Sequence, residues 1–155
     1  MSNIDLNKES EAGGAEKAFS AKCFAAGVRV TPQRLAIYRE LINLKSHPCA
    51  ETLYHRVKQI MPSVSKDTLS RTLGIFTEIG VAFVVEGCGD TKRYDGAMEN
   101  HQHFRCVKCR KIIDFYHRPY EKIEGPGVIE GVYMVLKTTV YLEGVCEECG
   151  KGEEG

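Results

Sequence analysis

Apolar side chains recur every three or four residues through the first half of the chain. In VTPQRLAIYRELINL they fall at Leu35, Ile37, Tyr38, Leu41, Ile42 and Leu44. That spacing predicts a helix with one buried stripe. Thr31 stands where an N-cap belongs, and Pro32 occupies the first helical position, where a missing N–H does no harm. AETLYHRVKQIM repeats the pattern with Leu53, Tyr54, Val57, Ile60 and Met61, and Pro62 stops it. SVSKDTLSRTLGIFTEIG opens on a serine cap, presents Leu69, Leu73, Ile75, Phe76 and Ile79, and closes at Gly80. A shorter helix is expected before these, near EKAFSAKCFAAG. VAFVVEGCGDTKRYD then reads as an apolar strand, a glycine-rich turn and a second short strand. Three helices followed by a β-hairpin is the order of a winged helix-turn-helix.

The second half has strand character. KIIDFYH is β-branched and aromatic, and it is expected to pair back on HFRCV across the CVKCRK turn. Composition adds two bounds. At 155 residues, 43% hydrophobic and 27% charged, the chain suits one ordinary domain or two small ones. No stretch approaches the roughly 18 apolar residues of a membrane span, and the N-terminus lacks a basic-then-apolar leader pattern. A cytoplasmic protein with no membrane partner is expected. The whole chain is neutral, with 21 basic and 21 acidic residues. From Ser20 to Asp95, however, 11 Lys and Arg face 7 Asp and Glu, a net of +4. Lys66 and Arg71 on the third predicted helix, and Lys92 and Arg93 after the hairpin turn, are placed to meet phosphates. The same residues would also serve as solvated faces.

Candidate chemistry lies in the cysteines and histidines. Seven cysteines without a secretory context point to metal or redox chemistry rather than disulfides. Four form two CxxC pairs, Cys106–Cys109 and Cys146–Cys149, which together supply the sulfurs of a tetrahedral structural Zn(II) site. The 36 residues between the pairs must contain structure that brings them together. Cys23, Cys49 and Cys88 lack paired spacing and read as buried or incidental thiols. His101 and His103 share one face of an extended segment, and the predicted hairpin brings Asp114 near them. These three would make part of a second site of nitrogen and oxygen ligands. They would equally read as exposed strand histidines and a turn aspartate.

The segments GVRVTPQRLAIYREL, HPCAETLYHRV, SKDTLSRTLGIFTEIGV, KRYD, HQHFRCVKCRKIIDF and GVCEECG resemble, in this order and spacing, the ferric uptake regulator family. The resemblance covers Ala18 to Gly150. It implies an α+β chain: a winged helix-turn-helix over residues 18–95, then a small α/β dimerisation domain with the four-cysteine zinc site over residues 96–150. Residues 1–17 and 151–155 are expected as tails. The implied function is that of a metal-dependent repressor, a homodimer on a palindromic operator in double-stranded DNA, and not an enzyme.

The resemblance also assigns a regulatory Fe(II) or Mn(II) site to His47, Asp95, His101, His103 and Asp114. In the peroxide-sensing branch, to which an aspartate at position 114 points, His47 and His101 would be the oxidation-sensitive ligands. A ferrous-iron sensor is the alternative, followed by a zinc sensor; a zinc-ribbon interaction module and a metalloenzyme are more distant ones. The recognition helix would present Lys66, Thr68, Ser70 and Arg71. Three departures stand out. Ser70 replaces a tyrosine common in the family. Gly125, Pro126 and Gly127 interrupt a helix the family usually has longer. Lys137, Thr138 and Thr139 stand where many relatives place a histidine of an additional metal site, so two metals per chain are expected.

Overall fold

A computed structural model of the protein describes residues 6–135 and 138–152. The chain divides into two compact units between Met98 and Glu99.

The first unit holds four helices and a two-stranded hairpin: α1 (Leu6–Ala25), α2 (Pro32–Asn43), α3 (Ala50–Ile60), α4 (Lys66–Ile79), β1 (Phe83–Val84) and β2 (Tyr94–Asp95). Thr31 caps α2 by accepting from the Arg34 N–H at 3.2 Å, and Ser65 caps α4 by accepting from the Thr68 N–H at 3.0 Å. Such caps contribute about 1 kcal/mol each. Gly80 ends α4 with φ at +77°, a left-handed conformation that glycine adopts without a Cβ penalty. The predicted stripes form one core of Ile37, Tyr38, Leu41, Leu53, Val57, Leu69, Leu73 and Phe76.

The first helix is longer than its periodicity suggests. It starts at Leu6 and takes in residues 6–17, which were expected as a loose tail. From Ala15 onward the helix is held by tertiary contacts. Phe19 is fully buried and stacks on Tyr38 with ring centroids 4.3 Å apart, and Phe76 meets Phe19 edge-on at 5.4 Å. Pairs of this kind add about 0.5–1.5 kcal/mol beyond their buried area. Upstream, Glu16 pairs with Arg39 at 2.6 Å, and the Tyr38 hydroxyl donates to the Ala15 carbonyl at 3.4 Å. Residues 1–5 and 153–155 of the expected tails lie outside the described residues, as does Lys137.

The second unit contains β3 (Gln102–Cys106), β4 (Ile112–Phe115), a 3-10 turn over Arg118–Tyr120, α5 (Gly127–Glu130), β5 (Tyr141–Gly144) and α6 (Glu147–Lys151). The sheet order is β4-β3-β5, with β4 antiparallel and β5 parallel to β3. The register puts Phe104 opposite Ile113 on one side and Leu142 on the other. Facing residues in a ladder share a side of the sheet, so these three make an apolar row. His103, Asp114 and Tyr141 make a row on the opposite side. Gly144 packs closely: a Cβ there would lie 3.0 Å from the Phe104 ring, which would have to shift by a few tenths of an ångström. The helix broken by Gly125, Pro126 and Gly127 is indeed short, four residues in α5. No helix among the described residues is long and apolar enough to cross a membrane.

Candidate metal centres

Cys106 ends β3, Cys109 sits in the turn to β4, Cys146 caps α6 and Cys149 lies within it. The turn closes through the Arg110 N–H donating to the Cys106 carbonyl at 2.9 Å and the Cys106 N–H donating to the Lys111 carbonyl at 2.9 Å. Arg110 takes a left-handed conformation, φ +62°, to make it. Parallel pairing of β5 with β3 carries the second cysteine pair to the first, which answers what the long spacer does. One ligand atom from each of the four cysteines lies within 4.8 Å of every other. The Cys109 and Cys146 sulfurs are 3.7 Å apart. Two sulfurs bonded at ~2.3 Å to one tetrahedral ion stand about 3.7 Å from each other, so the cluster fits a structural zinc.

The backbone tunes the thiols unequally. The Cys146 N–H donates to the Cys106 sulfur at 3.4 Å and, with the Cys109 N–H, draws that thiol down to about 6. Hydrogen bonds to Cys146 and Cys109 push the Cys149 thiol up to about 12. Four thiolates crowded together need a cation, and zinc uptake would displace the remaining protons.

The nitrogen and oxygen donors fall into two sets, one in each unit. In the first, the segment between α2 and α3 turns at His47, whose φ is +55°. The Tyr94 N–H donates to the Pro48 carbonyl at 2.9 Å, and Cys49 pairs with Arg93 as a bridge. This docks the turn on β2 and places His47 Nε2 3.8 Å from Asp95 Oδ2. Both residues are buried.

In the second set, His103 and Asp114 face each other across the β3–β4 hairpin, as the sequence pattern predicted. His103 Nε2 lies 3.4 Å from Asp114 Oδ1, and His101 Nε2 lies 3.8 Å from the same oxygen. The two Nε2 atoms are 3.1 Å apart with the rings nearly perpendicular. His101 Nδ1 sits 2.8 Å from the Glu99 carbonyl. A carbonyl only accepts, so Nδ1 is the donor there, which leaves Nε2 as the nitrogen a metal would take. Ligands held at about 2.1 Å from one ion at ~90–110° would have nitrogens about 3.0–3.4 Å apart. Two imidazoles and a carboxylate so arranged fit a borderline divalent ion such as Fe(II), Mn(II) or Zn(II).

The helix-turn-helix presents Lys66, Ser70 and Arg71 on the solvent face of α4, with Thr68 half-buried beside the cap. Lys66 pairs with Glu51 at 2.8 Å and Arg71 with Asp67 at 3.0 Å. Both pairs are exposed, so each is worth little and exchanges readily for a phosphate. Lys92 is exposed in the hairpin turn. Arg93, expected beside it at DNA, instead turns its guanidinium onto the carbonyls of Ser46 and His47. That role is backbone recognition, and no residue pattern announces it. Cys23 is buried in the first unit's core, Cys49 occupies the position before α3 with its sulfur 3.3 Å from the Thr52 hydroxyl, and Cys88 sits in the hairpin turn.

A winged helix with metal-ligand sets of this kind defines a metal-responsive DNA-binding regulator. The ferric uptake regulator family model matches residues 25–142, and the chain belongs to that family, whose members are transcriptional regulators rather than enzymes. The chain is 36% identical over 130 residues to the peroxide-responsive repressor PerR of Staphylococcus epidermidis, covering 84% of this chain and 85% of that one. Among solved structures, the Helicobacter pylori ferric uptake regulator Fur superposes with a TM-score of 0.70 at 22% identity, over 92% of this chain and 95% of that one. A zinc uptake regulator complexed with zinc and DNA superposes with a TM-score of 0.66 at 21% identity, over 95% and 97%. These two likenesses concern the fold.

Proposed function

We propose that the chain is a peroxide-responsive, metal-dependent repressor that acts as a homodimer on a palindromic operator in double-stranded DNA. The observation that carries this reading is the constellation of His101, His103 and Asp114, with an aspartate rather than a glutamate as its carboxylate. The kinship to a peroxide-responsive repressor supports it. By the family resemblance, His47 and Asp95 complete the same regulatory site. Lys66, Thr68, Ser70, Arg71 and Lys92 are the proposed DNA-facing residues.

Fe(II) held by these residues would mediate the transfer of oxidising equivalents from peroxide to a neighbouring ligand; Mn(II) would supply binding without that reactivity. The chain's own contribution is placement. The Glu99 carbonyl holds the His101 ring with its Nε2 lone pair forward, and Asp114 offers a hard anionic oxygen to both histidines. His47 or His101 is the proposed target: the O–O bond breaks, one oxygen enters a ring C–H, the ring gives up two electrons, and the other oxygen leaves as water. An oxidised ring is a poor ligand, so the metal-bound conformation loses its advantage and DNA is released.

The partner proposed for the C-terminal unit is a second copy of itself. Ile113, Leu142, Val132, Tyr133 and Met134 are exposed, Met134 by 86%. Apolar surface of this extent marks an interaction site, and a two-fold pair would set two recognition helices at a fixed half-site spacing.

Asp114→Glu tests the reading. The extra methylene moves the carboxylate relative to both imidazoles. Iron-loaded D114E is expected to lose operator binding under peroxide about tenfold more slowly than the parent, a barrier change of ~1.4 kcal/mol. Equal rates in a gel-shift time course would show that Asp114 does not set the peroxide response.

A further inference from the structure

Three successive carbonyls, those of Ser46, His47 and Pro48, all accept hydrogen bonds from two adjacent residues of the hairpin. Arg93 Nε donates to the His47 carbonyl at 2.6 Å, the same guanidinium donates to the Ser46 carbonyl, and the Tyr94 N–H donates to the Pro48 carbonyl at 2.9 Å. Within this grip His47 holds its φ of +55°, a conformation that is unfavourable for a side-chain-bearing residue and persists only where surroundings enforce it. One residue beyond Tyr94 lies Asp95, whose Oδ2 is 3.8 Å from His47 Nε2. Asp95 is itself braced, since its Oδ1 accepts from the Ala97 N–H at 2.8 Å.

We propose that Arg93 is a positioning residue for the regulatory metal, its guanidinium locking the Ser46–His47 backbone so that the imidazole of His47 and the carboxylate of Asp95 are preset as a pair. The proposal rests on the assignment of His47 and Asp95 to the metal site. Arginine suits the task because a planar fork reaches two carbonyls at once, whereas lysine offers a compact charge on a flexible stem. The segment from Lys92 to Asp95 then carries three functions in four residues: an exposed cation for DNA, a clamp and a ligand. Metal affinity and the seating of the wing are therefore set by the same short strand.

The test uses the full-length zinc-loaded protein titrated with Mn(II), with free Mn(II) read by its electron paramagnetic resonance signal. Arg93→Ala is expected to weaken Mn(II) binding by about 10–100-fold, the usual effect of removing a group that orients a ligand. Zinc content and far-ultraviolet circular dichroism are expected to match the parent. Arg93→Lys is expected to restore only part of the affinity, and it decides the matter if R93A fails to fold. Mn(II) binding at parental strength by folded R93A, or by R93K where R93A does not fold, overturns the proposal. His47→Ala run in parallel separates the two layers. If H47A loses Mn(II) binding and the arginine variants keep it, the clamp alone is wrong. If H47A also binds like the parent, the assignment of His47 as a ligand fails, and the clamp proposal with it.

Discussion

Replacing Cys106 with serine is expected to strip zinc from the C-terminal unit and unfold it. Among the described residues of that unit, only Gln102, Cys106, Ile112 and Cys146 are buried, so half of these buried residues are cysteines of the sulfur cluster. The sheet is three short strands with an apolar row exposed on one side, and a core this small does not offset the entropy of ordering its chain. Zinc held by the four cysteines would supply the difference. Structural zinc contributes on the order of 10–16 kcal/mol in small zinc-bound peptides, against roughly 5–15 kcal/mol for the total stability of an ordinary domain. C106S should contain no stoichiometric zinc, lose the strand signal in circular dichroism and fail to dimerise. The helical core around Phe19, Tyr38 and Phe76 should still unfold in its own thermal transition. Retention of both zinc and the sheet by C106S would show that the cysteine cluster is not what holds this unit.

Replacing His103 with alanine is expected to abolish metal-dependent DNA binding while leaving the zinc in place. His103 sits between His101 and Asp114, with Nε2 at 3.1 Å and 3.4 Å from their ligand atoms, and so stands at the centre of its donor set. Removing a group that merely orients a ligand costs 10–100-fold in metal affinity, and loss of a ligand itself should exceed about 100-fold. Metal can act as a switch only through its preference for the DNA-binding conformation. H103A should therefore bind an operator duplex with the affinity of the metal-free parent, whatever Mn(II) is added. The measurement is fluorescence anisotropy at one fixed salt concentration, since phosphate contacts make affinity steeply salt-dependent. A parental response to Mn(II) by H103A would remove His103 from the regulatory site.

Much of this architecture could be read from the chain because the informative signals are local. Thr31, Pro32, Ser65 and Gly80 are punctuation whose meaning depends on a few neighbours, and the structure uses each as expected. The two CxxC pairs announce a sulfur cluster without any knowledge of the fold between them. The pairing of His103 with Asp114 follows from a hairpin whose turn is visible in CVKCRK. What was not legible depends on distant partners. The stretch of α1 around Ala15 and Glu16 is held by Tyr38 and Arg39, far along the chain. The inward turn of Arg93 is decided by two backbone carbonyls, which have no residue identity to recognise. The tautomer of His101 likewise depends on the carbonyl of Glu99.

The regulatory metal is proposed as a peroxide trigger that acts through its own histidine ligands. The most direct measurement loads the purified protein with Fe(II), adds stoichiometric hydrogen peroxide, and determines the masses of its proteolytic peptides. One added oxygen on the peptide bearing His47 or His101, absent when Mn(II) replaces iron, is the predicted result. Unmodified histidines beside fully bound iron would contradict it and leave a sensor of ferrous iron concentration.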